Sequence, residues 1–209
     1  MLSVPALTRD RILRAAIQLA DREGPDSITL RRIAAELGVH VTSLYHHVPT
    51  RDAVTDGIVE LLLEEAKLPL HEVAWETWVR AFFGAIGTIS ATHPGAFFAL
   101  QHRPVQGARA SASFEVALAA FTRAGFSPLD AYAAVKTVSW LALAIGVENG
   151  MRSRGDMSET NIDELPADAF PILRSIAPVT TPEEPWAFGV ETIIDGLRAQ
   201  LDRRSTAGG

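Results

Sequence analysis

Gly38 stands between two short runs of apolar residues, and that arrangement constrains the chain more than any other feature. Thr29 offers a capping hydroxyl for a helix over Leu30 to Leu37, with Ile33, Ala34 and Leu37 as its apolar side. The third residue inside is Arg32, not Glu or Gln, so the capping box is incomplete. Gly38 closes that helix, a second one of about Thr42 to His47 begins almost at once, and Pro49 stops it. Ile33, Ala34, Leu37, Val39 and Leu44 can hold the two at a steep angle, Ala34 being small where they must approach. The second helix then presents His40, Val41, Thr42, Ser43, Tyr45 and His46 outward, where they can enter a major groove. An ordinary helical hairpin would satisfy the same local signals.

The context extends the pattern. Residues 8–23 carry Ile12, Leu13, Ala16, Ile17, Leu19 and Ala20 at helical spacing and end at Gly24-Pro25. Thr50 and Asp52 can cap a helix from Arg51 to Lys67, stopped by Pro69. Further helices are expected at Ala74 to Thr92, Arg109 to Ala124, Pro128 to Met151 and Pro182 to Arg204. A short apolar segment, Ala96 to Gln101, and a short helix, Ala167 to Ser175, complete the set. Residues 152–166 read as a mobile loop, and Ser205 to Gly209 as an unstructured tail. Alternation of β-branched residues is nearly absent, so the fold class is all-α. The division expected is 1–50 for the head and 51–209 for a larger helical body, with the seam along the Arg51 helix.

Charge and composition narrow the function. The net charge is −6, but residues 1–50 hold six arginines and five acids, while residues 51–209 hold thirteen basic and twenty acidic residues. A head so near neutrality cannot bind nucleic acid by charge alone and must use a few placed contacts, doubled in a dimer. The absence of cysteine excludes disulfides, thiolate catalysis and cysteine-held zinc. Adjacent His46 and His47 point about 100° apart on a helix and do not converge on one ion. No HExxH, GxSxG or Walker-type loop is present, and Asp163-Glu164 and Glu183-Glu184 suit caps or solvated charge. No cofactor or metal is expected. Met1 to Leu7 lacks the cationic start of a signal peptide, and the longest apolar run, Val138 to Val147, falls short of the roughly 20 residues a bilayer needs. The expectation is a cytoplasmic protein with no membrane partner.

Leu37-Gly38-Val39, Ser43-Leu44-Tyr45-His46-His47-Val48 and Arg51-Asp52-Ala53-Val54 resemble the DNA-binding domain of TetR-family repressors, over roughly residues 8–66. The resemblance implies a ligand-responsive repressor that binds double-stranded, palindromic operator DNA as a homodimer. It implies Tyr45 on a phosphate, with Thr29 and Arg31 touching backbone or base, and Arg31 the residue best suited to read a guanine. Val41, Thr42 and Ser43 would meet base edges, His46 and His47 phosphates or bases, and Arg51 a phosphate. His46 and His47 also suit a solvated surface.

Two features mark the body. The stripe of the last helix (Trp186, Val190, Ile193, Ile194, Leu197, Leu201) and the segment Trp140 to Val147 are more apolar than a monomer's surface helices need. In the family these helices form a four-helix dimer bundle, which would place Leu141, Ile145, Val190, Ile193, Ile194, Leu197 and Leu201 at the interface. The alternative is that they bury one another within one subunit. The second feature is a mixture of aromatic and polar residues. Trp75, Trp78, Phe82, Phe97, Phe98, His102, Phe114, Trp140, Glu148 and Asn149 suit the wall of a site for a partly apolar effector, aromatic or polycyclic. Any one of the aromatics suits a core equally well. His93-Pro94-Gly95 and His102 are similar to the tetracycline-repressor subgroup, where a helix break here shifts with ligand. The rival readings are a regulator controlled by a protein partner or by no ligand, and a small helical enzyme.

Overall fold

The computed structural model describes residues 6–102, 108–157, 162–176 and 183–207. The expected loop positions 158–161, Pro182 and the last two glycines lie outside the described residues, as does the side chain of His102. Ten α-helices follow in order: α1 (Arg9–Glu23), α2 (Leu30–Leu37), α3 (Val41–Tyr45), α4 (Arg51–Glu65), α5 (Trp75–Thr92), α6 (Ala99–His102), α7 (Ala108–Arg123), α8 (Pro128–Ser153), α9 (Pro171–Ile176) and α10 (Glu183–Ala207). Three-residue 3-10 turns stand at Pro25–Ser27, Ala96–Phe98 and Ile162–Glu164. No strand occurs among the described residues. Helix α10 continues to Ala207, past Ser205 where the sequence suggested an unstructured tail: no glycine or proline falls between Gly196 and Gly208.

The head assembles around the inward face of α1. Thr8 caps that helix by accepting from the Arg11 amide. Its residues Ile12, Leu13, Ala16, Ile17, Leu19 and Ala20 are buried against α2 and α4, with Ile33, Leu44, Val48, Val54 and Ile58 fully enclosed opposite. Gly38 adopts the left-handed conformation (φ 66°) after α2, which lets the chain turn and α3 begin at Val41 against α2. Helix α3 runs Val41–Tyr45, ending at the tyrosine, short of His47 where the sequence placed its end. Exposed ion pairs, Arg22–Glu36 and Arg32–Glu23, tie α1 to α2.

In the body, α5 and α8 form the main contact and run in the same direction. Trp75 at the start of α5 meets Phe126 just before α8, and the Pro94 carbonyl just after α5 lies against Gly150 near the end of α8. Helix α7 returns antiparallel to α8 through a tight turn, and Trp75, Phe121 and Phe126 close this end as a three-ring cluster with centroids 5.3–6.2 Å apart. Helix α10 packs on α5 through Trp186, edge-on to Phe83 at 5.7 Å, and through the two-pronged pair Arg80–Glu191. By length and composition α8 would suffice to cross a membrane, a point the ten-residue run Val138 to Val147 understated; a third of its most apolar window is buried inside the fold.

Candidate nucleic-acid interface

Helix α3 presents one face inward and one outward, and the split follows its sequence. Leu44 is fully buried and Val48 closes the turn behind it, so the residues between and before them face away from the head. Tyr45 is half exposed, His46 and His47 are exposed, and none of the three has a side-chain partner among the described residues. Val41 and Ser43 are half-buried at the margins. His40 and Thr42 engage each other: His40 Nδ1 lies 2.8 Å from Thr42 Oγ1 and accepts the Thr42 amide, capping α3.

The flank of the interface is built by α2 and α4. The Thr29 hydroxyl accepts from the Arg32 amide and caps α2, leaving its own hydrogen free to point outward. Arg31 is exposed with no acidic partner among the described residues, while its neighbour Arg32 pairs with Glu23. Of the two arginines, the unpaired one is available to a nucleic acid. Arg51 sits at the first position of α4, whose cap is Thr50, but its Nε donates to the Ile28 carbonyl at 2.9 Å. This bond uses the Nε–H alone and leaves the other N–H groups of the exposed side chain for the phosphate contact expected of it. The Nε–H thereby ties the α1–α2 connection to α4.

The aromatic and polar residues expected at an effector site do not form one cluster. Trp75 is buried in the ring cluster with Phe121 and Phe126 and is core. Phe97 is fully enclosed. Trp140 is 63% exposed, with the Lys136 ammonium over its ring at 5.2 Å, so it faces away from the subunit interior. Glu148 is exposed and pairs with Arg152 one turn on, and so lines no interior site. Periodicity tells which residues share a face without telling which face turns inward. Trp78 and Phe82 do stack, centroids 5.0 Å apart, and the Trp78 indole N–H is buried without a hydrogen-bond partner. Phe98 is half-buried beneath the Arg154 guanidinium at 4.8 Å, Phe114 meets Tyr132 edge-on, and Asn149 is half-buried. Of the residues expected at a dimer interface, three turn into the subunit and four keep part of their surface exposed. Val190, Ile194 and Leu197 are buried within the subunit, Leu141, Ile145, Ile193 and Leu201 are half-buried, and Phe188 on the same helix is 75% exposed.

Sequence reasoning missed a joint where head meets body. His93, just after α5, places Nδ1 2.8 Å from Asp21 of α1 and Nε2 3.0 Å from Glu65 at the end of α4. The second oxygen of Asp21 accepts the Gly95 and Ala96 amides, each at 2.9 Å. The hydrogen bond to Asp21 holds the His93 pKa above its ordinary value; burial opposes this, and the charges of Asp21 and Glu65 add to it. The break at His93-Pro94-Gly95 was visible in sequence, but its partners lie 72 and 28 residues away, where no local pattern reaches. Among the described residues no group of three or more His, Cys, Asp or Glu side chains, this one included, is arranged to hold a metal ion.

Comparison with known proteins matches this geometry. Residues 12–56 match the model of bacterial regulatory proteins of the tetR family, a span that runs from α1 into α4. An HTH-type transcriptional regulator of Saccharopolyspora erythraea is 37% identical over 136 residues, which is 65% of this chain and 58% of that one. The match thus spans less than two thirds of that relative. A tetracycline repressor protein of class D from Escherichia coli is 28% identical over 207 residues, 93% of this chain and 91% of the repressor. Among solved structures, ActR of Streptomyces coelicolor in complex with actinorhodin superposes with a TM-score of 0.78 at 26% identity, over 94% of this chain and 99% of ActR.

Proposed function

We propose that the chain, whose residues 12–56 match the tetR family of bacterial regulatory proteins, is a ligand-responsive transcriptional repressor of that family. It binds a two-fold-symmetric operator as a homodimer and leaves it when a small, partly apolar effector enters the body. The carrying observation is the outward face of α3, where Tyr45, His46 and His47 stand exposed and without partners beside an unpaired Arg31. A helix so presented fits a major groove, and its rim of phosphate-seeking groups fixes the register. The structural neighbour that carries actinorhodin supports an effector site in the body. Within this chain that site would draw on Phe82, Phe98, Phe114 and Asn149 and on the unpartnered indole of Trp78. Relatives named as regulators and repressors support a non-enzymatic, cytoplasmic role.

The reading unit is residues 1–50 and the body residues 51–209. Helix α4 packs on both α1 and α7, so a tilt imposed from the body moves the head. Dimerisation would use the outer faces of α8 and α10, where Trp140 and Phe188 are exposed large rings. Two reading heads then meet half-sites about one helical turn, ~34 Å, apart. Fluorescence anisotropy against DNA from the chain's own upstream region, across several salt concentrations, tests the reading. Tight, competitor-resistant binding that Tyr45→Ala abolishes is expected. Equal, weak binding to every sequence, from that region and from a random pool alike, would overturn it.

A further inference from the structure

The joint around His93 carries an inference beyond DNA reading and effector binding. Both ring nitrogens face a carboxylate oxygen, at 2.8 and 3.0 Å. Ionised carboxylates only accept hydrogen bonds, and neutral imidazole has a single N–H. The two contacts are therefore satisfied together only by imidazolium. On losing a proton, one nitrogen would turn a lone pair toward a carboxylate at hydrogen-bond distance, and that contact must open.

Which contact opens follows from the surroundings. Asp21 is further anchored by the Gly95 and Ala96 amides, and its side chain is 21% exposed. Glu65 is 37% exposed, and its other oxygen has only a long contact, 3.5 Å, to Arg14. Arg14 in turn holds Asp10 at 3.0 Å. On the α8 side, Arg154 is engaged by Asp156 and lies over Phe98, and Glu148 pairs with Arg152, so neither cation replaces the imidazolium. The charged groups meeting the ring are thus Asp21 from α1 and Glu65 from α4, with Arg14 behind Glu65. Neutral His93 keeps its N–H on Asp21 and releases Glu65, the last residue of α4.

We propose that His93 is a proton-controlled latch: charged, it ties α1 and the end of α4 to the end of α5, and neutral, it frees α4. Helix α4 is the element that joins head to body, so the latch sets how readily the head moves. If the chain is the DNA-binding regulator proposed above, any effector that displaces α4 must break the His93–Glu65 pair, and release from DNA becomes easier as pH rises. The latch itself does not depend on that reading and is tested without DNA or effector.

The test is a histidine-ring NMR titration of the full chain, labelled with ¹⁵N at its imidazoles, for wild type, Glu65→Gln and Asp21→Asn. At pH 6, His93 should carry protons on both nitrogens and should titrate above the ordinary histidine value of 6.5. Its midpoint should fall in Glu65→Gln and fall further in Asp21→Asn. Amide exchange at residues 64–67, corrected for intrinsic rate, should quicken in wild type as pH passes the His93 midpoint and be fast throughout in Glu65→Gln. A single protonated nitrogen at pH 6, or a midpoint unmoved by Glu65→Gln, would overturn the proposal. Should a variant fold poorly by circular dichroism, the wild-type ring spectrum and its pH-dependent exchange decide alone.

Discussion

Gly95 should be intolerant of even one added carbon, and the structure sets the size of the effect. A Cβ there would stand 1.9 Å from the Ala20 carbonyl oxygen, 2.3 Å from its carbon and 2.7 Å from the Asp21 nitrogen. A carbon–oxygen contact needs about 3.3 Å. The end of α1 must therefore retreat by roughly 1.4 Å, and helix backbone cannot yield as a flexible side chain can. That retreat stretches the two 2.9 Å bonds from the Gly95 and Ala96 amides to Asp21 past hydrogen-bonding range. Hydrogen bonds to a charged acceptor contribute about 1.5–3 kcal/mol each, part of which water recovers at a partly exposed carboxylate. The backbone at Gly95 is ordinary helical (φ −85°, ψ −45°), so alanine gains about 0.4–1 kcal/mol by restricting the unfolded chain. The net expectation for Gly95→Ala is a loss of about 2–3 kcal/mol, or roughly 5–10 °C in Tm for a chain this long. Urea and thermal unfolding followed by circular dichroism measure it. Gly84→Ala is the control. That glycine lies within α5 with nothing within 4 Å of an added Cβ, and the change should stabilise by about 0.5–1 kcal/mol. If Gly95→Ala unfolds at or above wild type, the close approach of α1 to the 95–96 backbone is refuted.

Thr50→Ala removes the hydroxyl that accepts the Ala53 amide at the start of α4 and should cost about 1 kcal/mol in urea unfolding. His93 predicts a signed pH effect. Its pKa is raised in the folded chain, so its stabilising contribution is complete below 6.5, the ordinary histidine value, and is lost as pH rises through the raised one. The stability gap between wild type and His93→Gln should close over that interval, and a gap that widens with pH would contradict the assignment. Phe188→Glu places a charge on an exposed ring position of α10 and should shift sedimentation equilibrium from dimer to monomer without lowering helix content. An unaltered dimer would move the interface elsewhere.

Local signals carried the head from sequence to structure. Thr29 and Thr50 cap the helices the sequence assigned to them, and Gly38 takes the left-handed turn that separates α2 from α3. Each of these depends on residues three or four apart. The body was less legible because its decisive facts are contacts between distant segments. Trp75 and Trp140 are alike in composition, yet Trp75 is enclosed by Phe121 and Phe126 while Trp140 faces outward beside Lys136. The stripe Val190, Ile194 and Leu197 was visible, but its partner is the subunit's own core, and the exposed ring on that helix is Phe188. The resemblance gave Arg51 a phosphate; only the fold shows that its Nε also lies 2.9 Å from the Ile28 carbonyl. His93 joins three segments whose sequence separation hides them from any periodicity.

Selection of binding sites from random double-stranded DNA by the full chain tests the central claim most directly. The account predicts enrichment of a two-fold-symmetric sequence whose half-sites are centred about one helical turn apart, ~34 Å, with enrichment lost in Tyr45→Ala. A pool that stays unenriched with the folded wild-type chain, or one enriched equally by Tyr45→Ala, would contradict the account.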